Sequence, residues 1–302
     1  MKYLVTGYGG QLGYDIVREL KIRNVSDSDI FPVDIKEMDI TDRDSVMNKV
    51  KEINPDVIFH NAAWTNVDGA EDTAELCEKV NYLGTKNMVD AASEVGAKIV
   101  YISTDYVFDG TKDGVYEIND SVNPLSVYGK TKYMGEEAVR SYPNHFIVRI
   151  SWVFGINGKN FIRTMLKLSE TRNELNVVAD QVGSPTYTVD LAKLLVDMVA
   201  TEKYGTYHAN NEGFCSWAEF AKYIFDSSNI NMAVHPIPTS DYPQKATRPL
   251  NSKLSKKSLD ENGFDRLPSW QSAVDRYKEE LINENGEEAK ILIKAGGIKW
   301  NF

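Results

Sequence analysis

Apolar and polar positions along the first half of the chain follow two rhythms. Short apolar runs at Tyr3 to Thr6, Val57 to His60 and Ile99 to Ser103 are followed by stretches with helical spacing, Asp15 to Leu20, Glu71 to Val80 and Tyr128 to Val139. Strand and helix in alternation predict βαβ units and a parallel sheet. The runs Val57-Ile58-Phe59 and Lys98-Ile99-Val100-Tyr101-Ile102 carry no polar alternation through their centres. A strand covered by helices on both faces has that pattern, so the expected fold class is α/β, a Rossmann-like doubly wound parallel sheet.

After His145 to Ile150 the alternation weakens, and from Asn157 onward helical stretches mix with turns such as Gln181-Val182-Gly183-Ser184-Pro185-Thr186. Residues 1–150 are expected to form a dinucleotide-binding Rossmann domain. Residues 151–302 are expected to be mainly a smaller substrate-binding lobe, free to interleave with the first. Trp217, Phe220 and Tyr223-Ile224 recur at helical spacing and are expected to face that lobe's core. The acidic stretch from Glu279-Glu280 to Glu287-Glu288 is expected to be a solvated helix face without a site.

Composition narrows the function classes. A hydrophobic fraction of 42% with 26% charged residues over 302 positions is ordinary for a globular chain. A net charge of −10 argues against broad nucleic-acid binding, which needs a basic face, so any anionic ligand must be held by local groups. Cys77 and Cys215 have no CxxC or metal-like spacing, which suggests neither a disulfide framework nor a zinc site and fits reduced cytoplasmic thiols. Met1-Lys2 run straight into Tyr3-Leu4-Val5-Thr6, and Leu194-Leu195-Val196 is bounded by Lys193 and Asp197. Neither a signal peptide nor a membrane span of ~20 apolar residues is expected. The expectation is a soluble, cytoplasmic protein with no membrane partner.

The first candidate chemistry lies at Gly7-Tyr8-Gly9-Gly10-Gln11-Leu12-Gly13, which follows a strand and opens a helix. Such a turn aims backbone N–H groups and a helix N-terminus at a pyrophosphate, with Gly7, Gly10, Gln11, Leu12 and Gly13 in contact. The spacing is GxxGxxG rather than the GxGxxG of many dehydrogenases. Asp34, 21 positions beyond Gly13, can accept hydrogen bonds from the adenosine ribose and nominally favours NADH. Lys36 can meet the 2′-phosphate of NADPH, so both cofactors stay open. Asp39 and Ile40 are placed beside the adenine. Ala62, Ala63 and Thr65 leave the next strand as small residues where a cofactor can come close.

Carbonyl reduction also needs a proton for the developing alkoxide, and a tyrosine with a lowered pKa can deliver it. Tyr128 and Lys132 stand four apart, on one helix face, and the lysine is expected to supply that lowering. The same spacing occurs at Tyr82 and Lys86. What distinguishes Tyr128 is Thr104, a hydroxyl at the end of a strand, 24 residues upstream, placed to orient a substrate carbonyl. The catalytic set is therefore Thr104, Tyr128 and Lys132. His60, His145, His208 and His235 read as structural or exposed.

The glycine turn, Ser103-Thr104-Asp105-Tyr106-Val107-Phe108-Asp109-Gly110, Pro124 to Lys132 and Arg149-Ile150-Ser151-Trp152-Val153 together resemble the dTDP-4-dehydrorhamnose reductase family of extended short-chain dehydrogenases. The resemblance continues through Asp180 to Thr186 and Thr247 to Ser252. It implies reduction of the C4 ketone of dTDP-4-dehydro-6-deoxy-L-mannose to dTDP-L-rhamnose, with NADPH or NADH as donor. By the same resemblance Tyr128 protonates O4, Lys132 binds the nicotinamide ribose, and Thr104, Asp105 and Trp152 contact the sugar. Arg248 either pairs with the diphosphate or forms a structural salt bridge. A nucleotide-sugar partner follows, and a homodimer is compatible. Some members carry a metal at a dimer interface, for which Asp15 and Asp190 come into view; no metal is expected in the chemistry.

Two other functions share this scaffold. A sugar-nucleotide dehydratase follows its strand-end threonine with Asp-Glu, whereas Thr104 is followed by Asp105-Tyr106; an epimerase is not separated this way. A non-catalytic, NADP-binding regulatory subunit of methionine adenosyltransferase keeps the fold, and the intact Thr104, Tyr128, Lys132 set argues against it.

Overall fold

The computed structural model describes residues 1–284 and 286–295. Its centre is a sheet of six parallel strands: β1 (Tyr3–Thr6), β2 (Ile30–Val33), β3 (Val57–His60), β4 (Lys98–Thr104), β5 (His145–Ile150) and β6 (Gly205–His208), in the order β6-β5-β4-β3-β1-β2. The chain leaves β1 for β2 on one side and then crosses to β3 on the other. That reversal opens a crevice at the carboxyl ends of β1 and β3, where ligands of such sheets bind.

Neighbouring residues in each strand point to opposite faces, and both faces are covered. Val5, Phe59, Val100, Phe146 and Val148 face α1 (Gln11–Ile22) and the helix Thr188–Val199. Leu4, Ile58, Ile99, Tyr101 and Ile147 face α2 (Arg43–Ile53), α3 (Thr85–Val95) and α4 (Val127–Arg140). Burial on both sides is why these strands lack polar alternation. Beyond residue 150 a separate core gathers around Phe161–Leu168, Trp217–Asp226 and Trp270–Asn283, which bury Ile162, Leu166, Phe220, Ile224 and Tyr277. Phe220 and Ile224 lie in that core as their spacing predicts, whereas Trp217 is only partly buried.

Two expectations are corrected. The helix read over Glu71 to Val80 is broken into Val67–Asp72, Ala74–Glu78 and a wide π turn, Lys79–Gly84, which leads into α3. The cause is buried polarity: Asn81 accepts the Trp64 N–H at 2.8 Å, and Thr85 donates to the Asn81 carbonyl at 2.7 Å. These inward polar groups interrupt the apolar stripe that would announce α3. The acidic C-terminal stretch is also more than a solvated face. Glu280 accepts the Tyr187 hydroxyl at 2.6 Å and pairs with Arg18, and Glu288 pairs with Arg163 at 2.9 Å. Among the described residues no helix is long and apolar enough to cross a membrane.

Candidate active site

Past Thr6 the backbone turns at Gly7 with φ +65°. A Cβ there would lie 2.9 Å from the Ala62 amide nitrogen, and one on Gly13 would lie 2.4 Å from the Gly7 carbonyl oxygen. The turn therefore closes tightly on both the next strand and its own helix, which only glycine permits. Gly10 caps α1 without a side chain, so no side-chain oxygen covers the first-turn N–H groups. This cradle fits a dinucleotide pyrophosphate. Asp34 accepts the Gly9 N–H at 2.8 Å and so closes the far side of the turn.

The second part of the site is assembled by one close contact. Ser126 caps α4 by accepting the Gly129 N–H at 3.1 Å, and a Cβ on Gly129 would lie 2.3 Å from the Tyr106 carbonyl. The helix start can thus sit against the turn that follows β4, which carries Tyr128 to Thr104. The Thr104 hydroxyl donates to Asp105 Oδ1 at 2.9 Å and accepts the Tyr106 N–H at 3.2 Å. The Tyr106 ring meets the Tyr128 ring edge-on at 5.5 Å.

A cavity of about 540 Å³ brings the two parts together. Its wall includes Gly7, Gly10, Gln11, Leu12 and Gly13 on the turn side, with Ala63 and Thr65 beside them. Thr104, Asp105, Tyr128, Lys132 and Trp152 form the opposite side. Asp34, Asp39, Ile40 and Ala62 lie outside this wall; Ile40 is buried in the core against Gly84, and Asp39 caps Thr41. The Gln11 side chain is turned away, accepting the Gly155 N–H at 2.8 Å, so only its backbone serves the cradle. Tyr82 and Lys86 are not part of this wall.

Electrostatics correct one expectation. Burial pushes the Tyr128 phenol upward, while the hydrogen bond with Thr104 draws it back and the Asp105 charge adds to the rise. Lys132 is not among the groups that shift it; its ammonium lies over the Tyr101 ring, 4.1 Å from the centroid. Burial brings Lys132 down to about 7, against the opposing charge of Glu136, and raises Asp105 to about 6. The phenol is thus held protonated, the form that a proton donor needs.

Arg248 forms a salt bridge with Asp68. It forks onto Asp68, with N–H groups 3.1 and 2.8 Å from the two carboxylate oxygens, and that bond holds Asp68 down at about 2. It lines a neighbouring cavity of about 830 Å³ rather than the one at Thr104. Asp15 and Asp190 are engaged within the fold. Both Asp190 oxygens are taken by Arg276, at 2.6 and 2.7 Å, and Thr188 donates to Asp15. A divalent cation would have to displace Arg276 from Asp190, whereas Asp15 Oδ1 is buried without a hydrogen-bond partner. Among the described residues no group of three His, Cys, Asp or Glu side chains is placed to hold one.

Four contributors escaped the sequence reading. Trp217 and Tyr106 line both cavities, and Trp217 stacks on Trp152. Asn157 reaches back to donate to the Gly9 carbonyl at 3.1 Å, which brings Lys159 to the cavity wall as a positive charge. Helical periodicity marks Trp217 as a core position, and nothing local marks Asn157.

Comparison with known proteins shows what the chain is similar to. A family profile described as the RmlD substrate binding domain matches residues 1–283. The spore coat polysaccharide biosynthesis protein SpsK of Bacillus subtilis (strain 168) is 40% identical over 280 residues, spanning 92% of this chain and 97% of its own. The dTDP-4-dehydrorhamnose reductase of Aggregatibacter actinomycetemcomitans is 39% identical over 287 residues, covering 90% and 97%. A crystal structure of the Bacillus anthracis str. Ames dTDP-4-dehydrorhamnose reductase in complex with NADP superposes with a TM-score of 0.89 at 43% identity, covering 93% of this chain and all of that one.

Proposed function

The chain belongs to the RmlD substrate binding domain family, and on that premise we propose that it reduces the C4 ketone of dTDP-4-dehydro-6-deoxy-L-mannose to dTDP-L-rhamnose with NADPH or NADH. The observation that carries this reading is one cavity lined by the glycine turn, Thr104, Tyr128 and Lys132 together. Residues 1–150 are assigned to the cofactor and 151–302 mainly to the substrate, with β6 returning to the first layer.

A bound reduced nicotinamide supplies the hydride to C4. Tyr128, kept protonated by burial, gives its proton to O4 as negative charge develops there. The Thr104 hydroxyl, fixed by Asp105, orients the sugar oxygen. Lys132 holds the nicotinamide ribose. Trp152 offers its indole to the apolar face of the sugar, and Asp105 a carboxylate to its hydroxyls. Held locally, Lys132 and Lys159 favour an anionic ligand on a chain whose net charge is −10.

The purified chain with the 4-keto sugar nucleotide and each cofactor should consume reduced nicotinamide stoichiometrically with product. No turnover with either cofactor refutes the assignment, and a cofactor that is regenerated indicates an epimerase. The Tyr128→Phe protein should lose on the order of 10²–10⁴ in kcat. Unchanged reduction by that variant refutes the proposed acid.

A further inference from the structure

Lys132 is buried, and among the described residues its ammonium donates no hydrogen bond to a side chain or carbonyl. A charge withdrawn from water needs a partner. The partner present is the ring of Tyr101, on the strand that ends at Thr104, with Nζ 4.1 Å from the ring centroid.

That ring is itself held. The Tyr101 hydroxyl donates to the Lys132 carbonyl at 3.1 Å and also meets Thr85. Thr85 bonds His60 Nε2 at 3.1 Å, and His60 Nδ1 bonds the Thr6 hydroxyl at 3.0 Å. The same Thr6 oxygen accepts the N–H groups of Asn61 and Ala62, beside the glycine turn. A buried polar chain therefore runs from the cofactor cradle to the backbone of Lys132. Helix α4 comes this near because residue 135 is glycine: a Cβ there would lie 2.2 Å from the Tyr101 hydroxyl.

We propose that Tyr101 is a positioning residue for Lys132: its ring face favours the charged form of the buried ammonium and keeps it in place while leaving the three N–H donors free, and Thr85 and His60 hold the ring. A carboxylate in the same position would also stabilise the charge, but would fix the donors on itself. An aromatic face attracts a cation without accepting a directed hydrogen bond in the donors' preferred geometry. The inference rests on the role assigned to Lys132 above.

Other groups around Lys132 leave its titration distinct. Glu136, on the same helix, is committed to Arg149 and Arg140. Burial pushes the Cys77 thiol up and brings His60 down to about 3, so both are neutral near pH 7. Tyr101 and Tyr128 are both pushed up by burial and stay protonated.

The test keeps the ring's shape and changes its electrons. In the full chain, Tyr101→Phe is compared with the same substitution made with a trifluorinated phenylalanine, and Lys132 is titrated by NMR of ¹³Cε-labelled lysine. The ring favours the charged form, so fluorination should lower the Lys132 pKa by about 0.5–1 unit. The high-pH limb of kcat/KM should move down equally. Tyr101→Leu should shift both in the same direction; the fluorinated pair preserves ring volume and decides the matter if the leucine variant does not fold. Coincident titrations in the two phenylalanine forms overturn the proposal. Because the titration needs no turnover, absence of ketone reduction counts against the proposed function alone.

Discussion

Trp152 and Trp217 stack face to face, with ring centroids 3.8 Å apart and planes 16° from parallel. One follows β5 and the other opens the helix Trp217–Asp226, so the pair joins the two halves of the chain at the cavity wall. Trp152 holds φ at +51°, a left-handed conformation unfavourable for a bulky residue. Strain of about 1–3 kcal/mol at such positions persists when the surroundings over-determine it. Here the stack and the missing side chain of Gly183, whose Cβ would lie 3.1 Å from the indole, provide the fit.

Trp217→Ala should therefore act on substrate more than on cofactor. Loss of the aromatic pair and its buried area should raise KM for the sugar nucleotide about 10-fold, with Trp217→Phe retaining most of the binding. Steady-state kinetics with a parallel NADPH titration checks this. An equal loss of cofactor affinity would contradict the placement of Trp217 at the substrate side.

Gly13→Ala places a methyl 2.4 Å from the Gly7 carbonyl, inside any allowed contact. The turn must open, and the cradle N–H groups must move with it. Binding of NADPH, followed by fluorescence, should weaken at least about tenfold, and stability should fall by about 1–3 kcal/mol.

The buried pair of Glu136 and Arg149 is a structural dependence behind the site. Arg149 bonds both carboxylate oxygens, at 2.8 and 2.7 Å, and both side chains are almost fully enclosed. Glu136→Gln leaves the guanidinium without its counter-charge and should cost about 3–5 kcal/mol, read as a fall in the denaturation midpoint.

Asp15 should make stability fall as pH rises. Burial raises its carboxyl to about 6 against the hydrogen bond from Thr188, whereas in the unfolded chain it titrates near its ordinary value of 3.8. Below pH 4 both states carry the proton and there is no difference. Between pH 4 and 6 the folded state holds a proton that the unfolded one has lost, so rising pH costs stability, fully so above 6. Asp15→Asn should leave Tm unchanged at pH 4 and raise it at pH 8, by about 1–3 kcal/mol of stability.

A chelator should leave Tm unchanged, since Arg276 already occupies both oxygens of Asp190. Arg276→Ala should lower Tm by exposing that carboxylate, whose remaining partner is Asn211 at 2.7 Å.

The sequence by itself determined the parallel sheet, the glycine turn and the strand-end Thr104 with Tyr128 and Lys132. Each is a short-range pattern: apolar runs for β3 and β4, a turn only glycine can make, and one helical turn between two side chains. Tertiary structure decided what meets across long separations. Arg248 pairs with Asp68, 180 positions away; Trp217 turns from core residue to cavity wall; Asn157 crosses to the glycine turn. It also reversed the direction of the Tyr128 shift, because desolvation depends on how completely the surrounding elements enclose the phenol. Periodicity records which face of an element is apolar. It does not record which distant face will cover it, and charge, burial and hydrogen-bond partners follow from that second fact.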